Sequence, residues 1–462
     1  MSANKAKLNL DFGHGGISMN FAKAQDIQPR DGAESDWDAG ALWFKTEEFE
    51  DFPGISQNKI DDARIKSIAG FINNAIVEWQ NETGYDFDPL MEITISAAFF
   101  DVLSFPYSVE FSEPKEIGET DMKKIEECRC PEKMAKVPIP DEIIRALTSP
   151  YFTVLNEKGA ISRHLDPKGR KSKGLGFNAY FITKHPVLSK LLDIMKEDGD
   201  KINVSLSCER EFGALAGKKE KEGKTALIHI TDLMSEFSVW ENSELKYLNK
   251  KESGFKELKE AVWRLCLCYH KKPALTEQDY ELTQKPELMQ RFCKMVMAAA
   301  ITDDSKELLS ADDCSGLLEY VSCILENETE ESVKYSRLDL PGKNKSKTGL
   351  TISNYVLSYF AREAIRNLLL EIKRTIYNDD FCKPECIVLE CPLPLKGIEK
   401  LANEVFEIPA RRAIVKWDGE IRSDLSSSGV GALQSLIASN ALEKKKTAKL
   451  SSFFGWIFSK AS

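Results

Sequence analysis

The chain contains no run of about 18 apolar residues, the length that crosses a bilayer, so no segment of its 462 residues reads as a membrane span. Histidine is scarce, with five, and the eleven cysteines are scattered. The pairs Cys128/Cys130 and Cys266/Cys268 lack the second Cys-x-x-Cys or spaced histidine pair that a zinc site needs. The expectation is therefore reduced, mostly buried thiols and no metal centre. Positive charge is also in deficit: 63 Lys and Arg face 73 Asp and Glu, for a net charge of −10. Outside the C-terminal tail nothing forms a basic face, which argues against nucleic acid as a partner. The amino terminus runs from Met1 to Lys7 straight into Leu8-Asn-Leu-Asp-Phe without a secretory apolar core. The expectation is that the chain meets any membrane from the cytoplasmic side.

What is present is a 42% hydrophobic, 29% charged composition, that of a globular protein long enough for about two to four units. The most distinctive stretch is the last. At about 100° per residue, Leu450, Phe453, Phe454, Ile457 and Phe458 fall on one stripe, with Ser451, Ser452, Gly455 and Ser459 opposite. Trp456, Lys449 and Lys460 flank the boundary. From Ala441 onward there are five lysines and one glutamate, so a basic amphipathic helix follows an acidic body. That pattern suits an anionic lipid surface; the plainer alternatives are a partner groove or a helix docked on its own domain.

Taken in order, residues 7–21 read as a strand, a glycine-rich tight turn (Gly13 to Gly16) and a second strand. Such a hairpin brings backbone N–H groups close to a phosphate, with Asp11 near a bound cation. Asp36 to Phe52 reads as an acidic, tryptophan-containing loop. Ile65, Ile68, Ala69, Ile72, Ala75, Ile76 and Trp79 predict a one-sided helix over 61–81. Glu92 to Phe100 reads as a strand. From there to about Thr183 short strands, a polar helix near 121–127 and the basic loop Pro167 to Gly174 suggest an inserted α+β module. Gly217 to Thr225 imitates a P-loop but has five residues between its glycines instead of four, and a strand follows, so it reads as a charged linker. Thr225 to Leu248 repeats the strand–turn–strand opening. Residues 288–345 read as polar and helical, Leu357 to Ile376 as a long core helix, Cys386 to Cys391 as a buried strand, and Gly397 to Phe406 as a helix.

These features in this order resemble FtsA, the actin-like bacterial division protein, across nearly the whole chain. Leu8-Asn-Leu-Asp11-Phe-Gly13 looks like that family's first phosphate hairpin. Residues 386–412, with Leu-Ala-Asn-Glu-Val-Phe-Glu-Ile-Pro-Ala-Arg-Arg, resemble the strand and helix that close its adenosine pocket, and Gly429 to Gly431 stands where its final helix begins.

The resemblance implies an α/β, actin-like (ribonuclease H-like) two-lobed fold. Residues 5–91 and 185–222 would form the first lobe and 92–184 the inserted module. Residues 223–271 and 384–440 would form the core of the second lobe, and 272–383 its helical subdomain. A basic linker at 441–449 and a membrane-binding helix at 450–460 complete it. The implied partners are an FtsZ-like filament protein, anionic lipids and further copies of the chain, at the inner face of the membrane and the septum.

The departures bear on the cofactor. Where the family keeps an Asp, a glycine run and a Thr pair, this chain has His229, Thr231, Asp232, Leu233, Met234, Ser235 and Glu236. Side chains there block backbone approach to phosphate, and two acids repel it. Glu390-Cys391-Pro392-Leu393 replaces the Thr and triple Gly of the adenosine strand, and Tyr280 and Thr283 stand where charged residues would flank adenine. Asp11, Gly13 and Gly15 remain as residual contacts for ATP and magnesium. A nucleotide-free structural protein is the expectation, with His229 a core residue rather than a general base. The alternatives are a PilM-type pilus-assembly adaptor that captures a membrane-protein peptide, and an active actin-fold ATPase.

Overall fold

A computed structural model describes residues 5–12, 16–23, 27–29, 37–39, 43–48, 62–83, 86–129, 143–149, 151–195, 201–271, 282, 285–299, 314, 317–318, 320–325, 335–340, 348–377, 383–391, 393, 395–413, 416–417 and 420–421.

In the first sheet, apolar and polar residues alternate along the strands. Strand β1 (Lys5–Phe12) buries Leu8, Leu10 and Phe12 on one face, each 0% exposed, and Asn9 and Asp11 on the other. It pairs antiparallel with β2 (Gly16–Lys23), which pairs antiparallel with β3 (Trp43–Glu48). On its other side β1 pairs parallel with β4 (Asp86–Ile95) after a bulge at Ala6/Leu8. Helix α1 (Asp62–Thr83) connects β3 to β4 and buries the stripe Ile65, Ile68, Ala69, Ile72, Ala75 and Trp79.

The next strand in the chain, β5 (Phe100–Glu116), belongs to a separate sheet with β6 (Ile143–Thr148), β7 (Phe152–Leu155), β8 (Ile161–His164) and β9 (Lys171–Lys184). Its order is β8-β7-β9-β5, with β6 also on β9, and every pair is antiparallel. Helix α2 (Glu119–Glu127) covers one face through Ile125 and Met122, over a core of Phe152, Val154, Leu175, Phe177, Ala179 and Phe181. Gly176 is obligatory, because a Cβ there would lie 2.0 Å from the Tyr107 carbonyl oxygen.

After helix α3 (Pro186–Met195) the chain returns as β10 (Lys201–Leu206), parallel to β4, and continues into α4 (Ser207–Leu215). The first sheet thus has the order β10-β4-β1-β2-β3, and β2 alone runs against the rest.

A short helix α5 (Lys218–Glu222) leads to β11 (Lys224–Ile230), β12 (Ser235–Glu241) and β13 (Glu244–Lys251). The β12–β13 turn places Asn242 and Ser243 at φ 52° and 63°, the left-handed pair that a tight hairpin of this twist requires. Then come α6 (Phe255–Lys271), α7 (Pro286–Ala298), α8 (Asn354–Tyr377), β14 (Cys386–Glu390), α9 (Ile398–Phe406) and β15 (Ala410–Arg412). The second sheet has the order β13-β12-β11-β14-β15, with β14 and β15 parallel. A five-stranded sheet of order 5-4-1-2-3 therefore occurs twice, which is the duplicated ribonuclease H-like plan of an actin-like fold. The chain divides into two compact units, residues 1–225, 238–249 and 414–462, and residues 226–237 and 250–413.

Local expectations were met in the long elements and missed where tertiary pairing decides. The acidic loop expected at 36–52 contains β3, an edge strand, where polar side chains are tolerated. The strand expected over 92–100 is interrupted by a 3-10 turn at Ala97–Phe99, which redirects the chain into the inserted sheet. The charged linker at 217–225 contains α5, and the polar helical stretch at 288–345 contains Tyr335–Leu340, paired with Thr348–Ser353. Among the described residues, no helix is long and apolar enough to cross a membrane. Nine cysteines are described, none of them in a disulfide, and Cys208, Cys266, Cys314, Cys323 and Cys391 are buried.

Candidate functional site

Asp11 sits near the end of β1, 4% exposed, and the Thr94 hydroxyl donates to its Oδ1 at 2.8 Å. It is one member of a polar row across the first sheet. Asn20 Nδ2 donates to Asn9 Oδ1 at 3.2 Å, and Asn9 Nδ2 donates to the Glu92 carbonyl at 3.2 Å. The Glu92 carboxylate in turn accepts from the Ser205 hydroxyl at 2.7 Å and from Arg210 Nε at 3.0 Å. Register explains the row: Asn9 lies opposite Asn20 and beside Glu92, and Asp11 opposite Ser18 and beside Thr94. A buried carboxylate is tolerated only when paired and hydrogen-bonded, and Glu92, with a side chain 1% exposed, is both.

The second hairpin differs. Its turn between β11 and β12 is closed on itself: Thr231 N–H donates to the Met234 carbonyl at 2.9 Å, and Met234 N–H donates to Thr231 Oγ1 at 3.3 Å. The turn is also seated on α6. Phe255 N–H donates to the Thr231 carbonyl at 2.8 Å and Lys256 N–H to that of Asp232 at 2.7 Å, so the start of that helix is occupied by the chain's own carbonyls. Lys259 pairs with Asp232, and Gly254 N–H is capped by Glu257 at 2.9 Å. Gly254 permits this approach, since a Cβ there would lie 2.2 Å from the Thr231 oxygen. A phosphate cradle presents free N–H groups. Here those of Thr231 and Met234 are spent within the turn and are not offered to a ligand.

At the end of β14, Arg412 donates to the carbonyls of Cys391 and Leu393 at 3.1 and 2.8 Å, which fixes the bend after the strand. Burial pushes the Cys391 thiol up to about 11, against the opposing pull of Arg412, so it is protonated at neutral pH. His229 is half-buried on β11, with Nδ1 3.9 Å from Glu390. The basic loop of the inserted module is locally neutralised, Lys168 by Glu119 at 2.5 Å and Lys171 by Glu157 at 2.6 Å.

No family model and no curated protein matches this chain. Solved structures similar to it include a PilM–PilN type IV pilus biogenesis complex, at 11% identity and TM-score 0.45 over 95% of this chain and 98% of that one. A non-polymerising MamK mutant bound to AMPPNP gives 9% identity and TM-score 0.43 over 94% and 99%. MreB5 of Spiroplasma citri bound to ADP gives 7% identity and TM-score 0.42 over 97% and 98%.

Of the residues expected at a nucleotide site, Asp11 is described, and Gly13 and Gly15 lie outside the described residues. So do Tyr280, Thr283, Pro392, Gly429 and Gly431, and the whole tail with Lys449, Leu450, Phe453, Phe454, Trp456, Ile457, Phe458 and Lys460. Sequence reasoning passed over Asn9, Asn20, Glu92, Thr94, Ser205 and Arg210. Their signal was present: Asn9/Asp11 and Glu92/Thr94 alternate with apolar residues at the period of a strand, in segments buried on both faces.

Proposed function

We propose that this chain is an actin-like scaffold of the FtsA type, which tethers an FtsZ-like division filament to the inner face of the membrane through its C-terminal helix. Its nucleotide site is silent. One observation carries the silent site: the Thr231–Met234 turn spends N–H groups on itself and lays its carbonyls on the start of α6. Asp11 alone leaves a polyphosphate without its second cradle. The tether rests on the tail sequence. One short helix with five or six apolar side chains binds lipid reversibly, and each nearby lysine adds about 1 kcal/mol on an anionic surface. Many such anchors on one polymer hold firmly, so tethering needs assembly and not hydrolysis.

Full-length protein is expected to sediment with anionic liposomes, and a truncation after Asn440 is not. Equal binding by the two would remove the anchor and leave the PilM-type adaptor, which needs none. Phe453→Glu or Trp456→Glu is expected to release the chain from lipid. Calorimetry with an ATP analogue is expected to show no binding; a micromolar constant would restore the ATPase reading.

A further inference from the structure

The acidic, tryptophan-containing stretch of the sequence belongs to neither hairpin turn, and its place in the fold gives it a neighbour. From Asp31 to Phe52 it carries eight acids against the one Lys45, together with five aromatic residues. Two pieces of it are strands. One is β3, the edge of the first sheet, whose end sets Glu47 and Glu48 opposite Ile17 and Gly16 of β2. The other is Trp37–Ala39, which pairs antiparallel with Ile27–Pro29. Acids on an edge strand discourage a further strand, and acids so close in the chain repel one another until positive charge is brought to them.

The chain holds that charge in its tail. From Ala441 onward there are five lysines and one glutamate, followed by Phe453, Phe454, Trp456 and Phe458. The two stretches are opposite in charge and alike in aromatic content. The fold also brings the root of the tail to the acidic stretch. The last described part of the chain is the hairpin of Lys416–Trp417 with Glu420–Ile421, and Lys416–Trp417 lies beside Trp37–Ala39 in the same compact unit. Leu450 follows Ile421 by roughly 30 residues, a connection that spans at most on the order of 100 Å. A segment joined to its target by so short a connection needs only weak contacts to dock.

We propose that the basic tail docks on the acidic stretch of its own chain, along Trp37–Ala39 and β3, and that this dock and anionic lipid compete for one helix. The lysines that favour a lipid surface are the ones that the acids attract, so the helix serves one at a time. A lone chain keeps its anchor covered, and a surface dense in anionic headgroups takes it. The dock is independent of the nucleotide site; the competition rests on the tether proposed above.

Two measurements on the full-length chain test it. In a mixture of isotope-labelled and unlabelled protein, zero-length carboxyl–amine cross-linking should join Lys444, Lys445, Lys446 or Lys449 to Asp38, Glu47 or Glu48 within one chain. Salt at about 0.5 M should lower that yield several-fold. The variant Asp38→Asn/Glu47→Gln/Glu48→Gln should bind anionic liposomes about tenfold more tightly than the parent. Glu110→Gln/Glu113→Gln/Glu116→Gln, with the same change of net charge on exposed residues of β5, should bind as the parent does. Cross-links confined to different chains, equal measurable lipid affinity of variant and parent, or an equal gain in the control overturns the proposal. Cross-links within one chain, with no lipid binding by any of the three proteins, would uphold the dock and remove the tether.

Discussion

The two hairpins occupy equivalent places in two sheets of the same strand order, yet their described residues are satisfied in different ways. In the first, polar side chains on neighbouring strands satisfy one another laterally: Asn20 to Asn9 to Glu92, and Thr94 to Asp11. The end of β1 keeps a carboxylate that accepts from the Thr94 hydroxyl. In the second, the turn satisfies itself and rests on the helix that follows. The difference teaches that strand order fixes where a loop comes out, and local hydrogen-bond accounting decides whether it can receive a ligand.

The contrast can be broken most severely at Glu92. Glu92→Ala leaves Arg210 half-buried without its carboxylate, and should cost about 3 to 5 kcal/mol in chemical denaturation. A loss of less than about 1 kcal/mol, the scale of a surface ion pair, would mean that the row is not a unit. On the other side, Gly254→Ala drives a Cβ into the Thr231 oxygen and should cost about 1 to 3 kcal/mol, as overpacking does. The control, Gly213→Ala, has nothing within 4 Å of its Cβ on α4 and should be neutral or stabilising.

Smaller effects sharpen the comparison. Thr94→Val removes the hydroxyl that holds Asp11 and should cost about 1 kcal/mol. Asp232→Ala removes a half-exposed partner of Lys259 and should cost less than about 1 kcal/mol, leaving the turn to its backbone bonds. A pH measurement probes the inserted module apart from both hairpins. The Lys115 ammonium holds the Asp121 carboxyl below its ordinary range, with help from Gly118 N–H. A depressed carboxylate adds stability above its unfolded pKa, near 3.9, and loses it as pH falls through the folded value. Lys115→Met should therefore lose less stability than the parent between neutral pH and about pH 3.

Much of the fold was legible in the sequence because periodicity is local. The apolar stripe of Leu357 to Ile376 gave α8, and the alternation around Leu8 and Leu10 gave β1. The acidic stretch at 43–48 was not legible as a strand, since only its pairing with β2 makes it one. At the candidate site, the residue types of the second hairpin could be read directly, and with them the expectation that they crowd a phosphate. That Thr231 would spend its N–H and hydroxyl on Met234, and that Asn9 would reach Glu92, could not be read.

By itself, then, the sequence determined the class of the fold, which is a matter of which residues follow one another. Only the tertiary structure decided that β5 is an edge, that Glu92 and Arg210 meet across 118 positions, and that the second turn closes on α6. Those are pairings between distant segments, and a buried polar group takes whichever partner the packed chain brings within hydrogen-bond reach.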